Sequence, residues 1–438
     1  VFLTTTIIAL SLFFISCQKA LSGAGIDLGD TLPDLTTKIA SSVSGFVTDE
    51  NEVAVNGAAV QFGSSNTTTD KYGYFELSNV QVCQNAAVVT IIKPGYFKGI
   101  KTYIATAGKS AFFRIKLLPK STTGNIDAAS GGSVTLTNGL SISLAAGAVV
   151  NASTNAVYTG SVIVAAQWLD PTAGDLNRTM PGDLRGLDSL NFMKVLTTYG
   201  MAAVELTGTS GELLQVAAGK KAVLSFPIPS GISSSAPSTI PLWYFDEALG
   251  LWKQDGSAVR TGNNYIGEVS HFSFWNCDVP ANFVYFDCTI VDAKNMPLPN
   301  VLVKISIVSN LENGKFGYTD SSGFTKGAIP NNSSLLLEVF SDNSCTTPVY
   351  SKNFNTGTSN ISLGNIVIPS TVTATVSGSV ANCSLEAVTN GYVLMIKNGI
   401  NYSFPVSSTG TFSFNTTICD NNTEINLIGE DVAELQSG

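Results

Sequence analysis

Residues 239–256 read T-I-P-L-W-Y-F-D-E-A-L-G-L-W-K-Q-D-G, and residues 265–278 read Y-I-G-E-V-S-H-F-S-F-W-N-C-D. Three of the four tryptophans (Trp243, Trp252, Trp275) and the single histidine, His271, fall inside this block. Aromatic residues alternate with polar ones and are interrupted by Gly250, Gly256 and Gly262. That pattern predicts short antiparallel strands joined by tight turns. Alternation puts Trp243 and Phe245 on one face of a strand and Tyr244 on the other.

The composition extends this reading to the whole chain. At 438 residues the sequence exceeds one hydrophobic core and calls for three or four domains. Only 13% of the residues are charged, and no stretch combines a 3.6-residue apolar period with capping signals. The expected fold class is therefore all-β: tandem β-sandwich modules on a lipidated, flexible N-terminal tether. The formal charge of −9 is spread without a basic stripe, which excludes nucleic acid as a partner.

Residues 1–16 form an apolar run ending Leu12-Phe13-Phe14-Ile15-Ser16, followed by Cys17. Sixteen residues fall short of the ~20 that span a bilayer as a helix. The run resembles the signal peptide and lipobox of bacterial lipoproteins, with Phe14 in place of the usual leucine. The resemblance implies lipidation of Cys17, a lipid-anchored partner membrane, and a place in the cell envelope. Gln18 in place of an aspartate favours the outer membrane, with surface exposure an open option. A plain secretory signal with Cys17 incidental is the alternative. Residues 17–42 are polar and carry Pro33, as a tether should. Val1 has no Met and no basic residue before the apolar run, which points to a chain incomplete at its start.

Residues 43–62 read V-S-G-F-V-T-D-E-N-E-V-A-V-N-G-A-A-V-Q-F, followed by T-T-D-K-Y-G-Y-F-E-L at 68–77 and V-V-T-I-I-K-P-G-Y at 88–96. Asp70 can close a turn with its carboxylate, and Gly73 accepts positive φ between two strands. The order recurs at 284–308 with Gly317 to Phe324, and at 376–396 with Ser408 to Phe412. It resembles the carboxypeptidase regulatory-like domain, a small transthyretin-like sandwich without peptidase chemistry. The expected modules are residues 43–118, 283–368 and 372–438, the last ending near the equivalent of Gly95 and Tyr96 and so reading as truncated.

Between the first two copies lies a region expected at 131–278, opening Gly131-Gly132-Ser133-Val134 and reaching Ala145-Ala146-Gly147-Ala148. The opening resembles the β-sandwich of zonula occludens proteins, netrin receptors and ankyrins. G-M-A-A-V-E-L at 200–206 and I-P-L-W-Y-F-D at 240–246 are similar to ectodomains of cartilage intermediate layer proteins.

Catalytic sets are absent from the sequence. There is no H-E-x-x-H, no G-x-S-x-G, no P-loop and no dinucleotide fingerprint, and one histidine serves at most one site. No cofactor and no metal are expected. Asp175, Asp183 and Asp188 follow Trp168 in a loop and read as solvated acids, or at best a loose Ca²⁺ site. Trp243, Tyr244 and Trp252 are a candidate sugar platform, although core packing suits the indoles better. The expected role is non-enzymatic binding, adhesion or structure, with a glycan or envelope protein as partner; a glycan-processing accessory role is the alternative.

Setting Cys17 aside leaves Cys83, Cys277, Cys288, Cys345, Cys383 and Cys419, an even number in an exported chain. Keeping bridges within modules favours Cys383–Cys419 and Cys288–Cys345. Cys83 and Cys277 are then free or joined across domains, Cys277–Cys288 is a rival bridge, and free buried thiols remain the plain option. Finally, His271-Phe272-Ser273 resembles the self-cleaving His-Phe-Ser site of some zonula-occludens-type domains, notably in a death-domain scaffold protein. Residues i and i+2 of a strand share a face, which puts His271 beside Ser273. A turn-capping or packed His271 is the competing role.

Overall fold

In the computed structural model, residues 32–341, 347–369, 372–419, 423–434 and 436–438 are described. The expected signal segment, Cys17 and Cys345 lie outside the described residues. The described chain is all-β apart from two four-residue helical turns, Leu176–Thr179 and Ser230–Ser233.

The first module is a sandwich of two sheets. Strand Lys38–Thr48 runs antiparallel to Tyr74–Cys83 and parallel to Ser110–Lys116. Facing it is a four-stranded sheet in the order Ser65–Thr68, Ala59–Phe62, Ala87–Ile92, Gly99–Tyr103. Alternate residues such as Val43, Val47, Val60, Phe62, Val89 and Ile91 fill the space between the sheets. The first strand begins at Lys38, inside the stretch expected to be tether, because Lys38 pairs with Cys83 beyond a bulge at Ser41/Val43.

The second copy repeats this arrangement. Phe283–Val291 lies antiparallel to Phe324–Pro330 and parallel to Ile361–Val367, beside a four-stranded sheet built on Leu302–Ile307. In the third, Thr373–Ser379 pairs with Thr411–Thr417 alone among the described residues. Its other sheet has four strands, built on Gly391–Lys397.

Turn chemistry explains why the same order of residues gives the same fold. Asp70 Oδ1 accepts the N–H groups of Tyr72 and Tyr74 at 2.8 and 2.9 Å, and Gly73 takes φ +74° against the Val47 carbonyl. Asp320 does the same for Ser322 and Phe324 at 2.8 and 2.9 Å, with Gly323 at φ +72°. In the third copy Ser407 Oγ replaces the carboxylate, accepting from Thr409 and Thr411 at 3.2 and 3.1 Å. Each turn ties its two strands together through a side chain that mimics a main-chain acceptor.

The middle region is one 13-stranded sheet. It starts earlier than expected, with strand Thr122–Asp127, which pairs antiparallel with Ser161–Leu169. Phe274–Ala281 lies between Met193–Thr207 and Thr239–Asp246, so the aromatic block is at the centre of the sheet. Both faces are covered. One carries Trp275, Cys277, Tyr265 and Phe272; the other carries Trp243, Phe245, Trp252 and Phe274. The second face is closed partly by Phe97 and Ile100 of the first module.

The expected bridges within modules do not form. Cys288 is a free thiol in the core of the second copy, and Cys383 is a free, exposed thiol. Cys277 is likewise free, and it is buried in the middle region, which removes the Cys277–Cys288 rival as well. Strand alternation aims Cys277 and Cys288 into two separate cores. Burial pushes the Cys288 thiol up to about 12 and the Cys277 thiol well above its ordinary range. Cys83 is free, and Cys419 is disulfide-bonded, though not to Cys383.

Candidate functional site

Strand Asn264–Val269 leaves the sheet at Ser270, and the chain re-enters it at Phe274. The four residues between them form a bend that joins two interior strands. Phe272 buries its ring in the core with 5% exposure, which anchors the bend from below. Gln215, on strand Leu213–Val216, grips the main chain of Phe272. Its Oε1 accepts the Phe272 N–H at 2.8 Å, and its Nε2 donates to the Phe272 carbonyl at 2.9 Å. The Ser273 carbonyl accepts from Val204 N–H at 3.1 Å, so both sides of the Phe272–Ser273 bond are held.

His271 is half-buried between aromatic rings, edge-on to Tyr244 at 4.7 Å and tilted against Trp275 at 5.1 Å. Trp275 Nε1 donates to the His271 carbonyl at 2.9 Å. The imidazole Nε2 lies 3.5 Å from Ser273 Oγ, and Nδ1 lies 3.3 Å from Ser270 Oγ. Ser270 Oγ donates to Asp255 Oδ2 at 3.1 Å, which leaves its lone pairs to accept from an Nδ1–H. That assignment leaves Nε2 unprotonated and facing the Ser273 hydroxyl. Burial holds the imidazole below its ordinary pKa, with Asp255 opposing the shift and Lys221 adding to it. A neutral imidazole at neutral pH is the form that takes a proton.

The arrangement contains the parts of an acyl shift: a hydroxyl, a neutral base, and a donor on the carbonyl to be attacked. Ser273 Oγ also lies 3.2 Å from the Phe274 carbonyl, so its proton has a second acceptor. The sequence predicts His271 beside Ser273 on one strand face; the structure brings them together through a bend between two strands instead. Sequence alone shows no sign of Gln215, Asp255 or Ser270 as partners, because side-chain contacts of the folded chain bring them in, Gln215 from 57 residues away.

The other candidates fare differently. Trp243 and Trp252 are fully buried at 0% exposure, and neither offers a face to a sugar. Tyr244 is half-buried on the opposite side of the sheet, as alternation requires. Asp175 pairs with Lys116 at 3.0 Å and Asp183 with Arg185 at 2.7 Å. Asp188 closes a turn on Leu190 and Phe192, each at 2.9 Å. Among the described residues no group of three or more His, Cys, Asp or Glu is placed to hold a metal.

No protein-family model matches the chain. Over 106 residues it is 33% identical to cartilage intermediate layer protein 2 of Mus musculus, a match covering 24% of this chain. It spans about 9% of that protein's length. Among solved structures, a streptococcal ancillary pilin aligns at 11% identity and TM-score 0.17, covering 43% of this chain and 83% of the pilin. BcpA, the major pilin subunit of Bacillus cereus, aligns at 10% identity and TM-score 0.16, covering 76% and 99%. Overlaps this slight say nothing of what the chain binds or does.

Proposed function

We propose that this chain is an outer-membrane lipoprotein whose modules form one interlocked scaffold for binding, adhesion or structure at the cell surface. The observation that carries the reading is the way the modules hold one another. Tyr392 of the third copy donates to Asp70 of the first, and Tyr72 donates to Glu430 at 2.8 Å. Arg114 donates to the Asn401 carbonyl at 2.7 Å and stacks over Tyr402, while Asn415 reaches Asp292 of the second copy at 3.2 Å. Lys109 donates to Ser322 at 2.7 Å. A string of loosely tethered beads has no need of such contacts; a surface scaffold that presents a fixed face does. The lipobox-like run before Cys17 supplies the anchor in this reading, and Gln18 supports the outer membrane. The three small sandwiches are taken as carboxypeptidase regulatory-like modules, on their shared turn chemistry. A partner is then an envelope protein or a glycan, met at a surface other than the buried tryptophans. Cell fractionation tests the reading: the protein should sediment with outer membranes and the Cys17→Ala variant should not. Recovery of both in the soluble fraction would overturn it.

A second reading concerns the middle region and rests on the Gln215 grip beside the Ser273–His271 contact. In this reading the chain cuts itself between Phe272 and Ser273. Ser273 Oγ attacks the Phe272 carbonyl carbon, His271 Nε2 takes the hydroxyl proton, and Gln215 Nε2 stabilises the developing oxyanion. Collapse breaks the C–N bond, the proton passes to the Ser273 nitrogen, and an ester joins Phe272 to Ser273 Oγ. Water then hydrolyses the ester to a Phe272 carboxylate and a free Ser273 amino terminus. A denaturing gel with mass spectrometry of the fragments tests it. Two fragments from the parent and one band from Ser273→Ala support cleavage; one band from both ends the idea.

A further inference from the structure

Where the first module, the middle region and the second small sandwich meet, they line a partly open cavity of about 150 Å³. Six basic side chains and one acidic one line it. Three of the cations are buried, Lys101, Arg185 and Arg114, and Arg114 is already engaged with the Asn401 carbonyl. Lys315 joins them from the opposite wall. Lys101 donates to the main-chain carbonyls of Asn177 and Met180 at 2.8 and 2.6 Å, and Lys315 to that of Leu196 at 3.0 Å. The one carboxylate, Asp183, is engaged with Arg185 Nε at 2.7 Å. Arg185 Nη1 donates to the Asn85 carbonyl at 2.6 Å, but Nη2 is buried with no partner. Thr106 Oγ1, on the same lining, is buried without a partner too.

We propose that this cavity binds a small organic carboxylate, its charge on Arg185 Nη2, Lys101 and Lys315 and its apolar body against the aromatic walls. Asp183 and Asp278 act on Lys315, but no carboxylate is placed on Lys101 or on Arg185 Nη2. Burying a cation without a matching anion costs several kcal/mol on an order-of-magnitude basis, and a bound anion offsets that cost. Main-chain carbonyls orient an ammonium but do not neutralise it. Burial pulls Lys101 down to about 7 and Lys315 down to about 8, the direction expected of cations taken out of water. Water can satisfy the Arg185 Nη2 and Thr106 Oγ1 groups, but it brings no countercharge to the cations. The walls choose the body of the ligand. Phe286, Phe316, Phe324 and Ile329 line the cavity beside the cations, and a space on the order of 150 Å³ is known to admit a benzene ring. An inorganic anion leaves those walls dry, and a sugar brings hydroxyls they cannot satisfy. Because all three bodies contribute lining residues, the bound carboxylate also ties them together.

The test uses the full chain with benzoate as probe and benzamide as its neutral counterpart, followed by calorimetric titration and thermal melting at pH 7. Benzoate should bind saturably, at least about tenfold tighter than benzamide, as expected for hydrogen bonds to a charged group. It should raise the melting temperature, by an amount that grows with the logarithm of free benzoate above its Kd. Lys101→Met and Lys315→Met should each weaken benzoate and leave benzamide unchanged. Equal affinity for the two probes, or no saturable binding of either by the folded parent, overturns the proposal without recourse to any variant. Benzoate affinity unchanged in the folded Lys101→Met, Lys315→Met double variant overturns the assignment of the cations.

Discussion

Gln215 and Phe272, 57 residues apart in the chain, are joined through both polar atoms of the glutamine amide, at 2.8 and 2.9 Å. The grip fixes the carbonyl that self-cleavage requires and gives it a donor. Gln215→Glu keeps the acceptor and loses the donor. If the chain cuts itself, this variant should slow the cut by roughly 10²–10³-fold, the usual loss for one oxyanion donor. Quantified band intensities over time would show it; an unchanged rate would free Gln215 of any part in the chemistry.

The same reading fixes a pH profile. His271 must be neutral to act, and burial lowers its pKa. The rate should therefore rise with pH and level off below the ordinary imidazole range near 6.5. A rate still climbing well above that range would point to a base other than His271.

Folding stability carries its own pH signature. Lys101 is held at about 7 and Lys315 at about 8 against an ordinary 10.5, so between those limits the folded chain binds fewer protons than the unfolded one. Their contributions are complete above 10.5 and are lost as pH falls through 8 and 7. Asp278 acts oppositely. Burial raises it to about 8 from 3.8, so its contribution is complete below 3.8 and is lost as pH rises through 8. Urea midpoints across pH should show Asp278→Asn removing a falling limb in the acid range. Lys101→Met with Lys315→Met should remove a rising limb in the alkaline range.

Packing between modules can be probed at one glycine. Gly250 takes φ +69° in the turn after Thr239–Asp246, its carbonyl accepts from Thr102 Oγ1 at 2.6 Å, and an added Cβ would collide with Val88. Gly250→Ala should cost about 1–3 kcal/mol from backbone strain, plus the clash. A melt within half a degree of the parent would show that the two bodies part easily. By the same logic Trp243→Ala or Trp252→Ala should cost about 3–5 kcal/mol and destabilise the middle region.

Much of this architecture was legible because it is local. Alternation separates Trp243 and Phe245 from Tyr244, and Asp70 with Gly73 marks a turn that Asp320 and Gly323 repeat. What alternation cannot say is which body covers a face. The tryptophans read as a core or a platform; they turned out to be a core completed by Phe97 and Ile100 of another module. The rival Cys277–Cys288 bridge failed for a similar reason, since counting cysteines ignores the face each strand gives them. Cys277 and Cys288 point into different cores. Lys101 and Arg185 gave no signal as buried cations, because burial there arises only where three modules meet.

Metabolic labelling with palmitate tests the anchored scaffold most directly. The parent chain, produced in a bacterium that processes lipoproteins, should incorporate label, and Cys17→Ala should incorporate none. An unlabelled parent, or a Cys17→Ala variant labelled like the parent, would contradict the account.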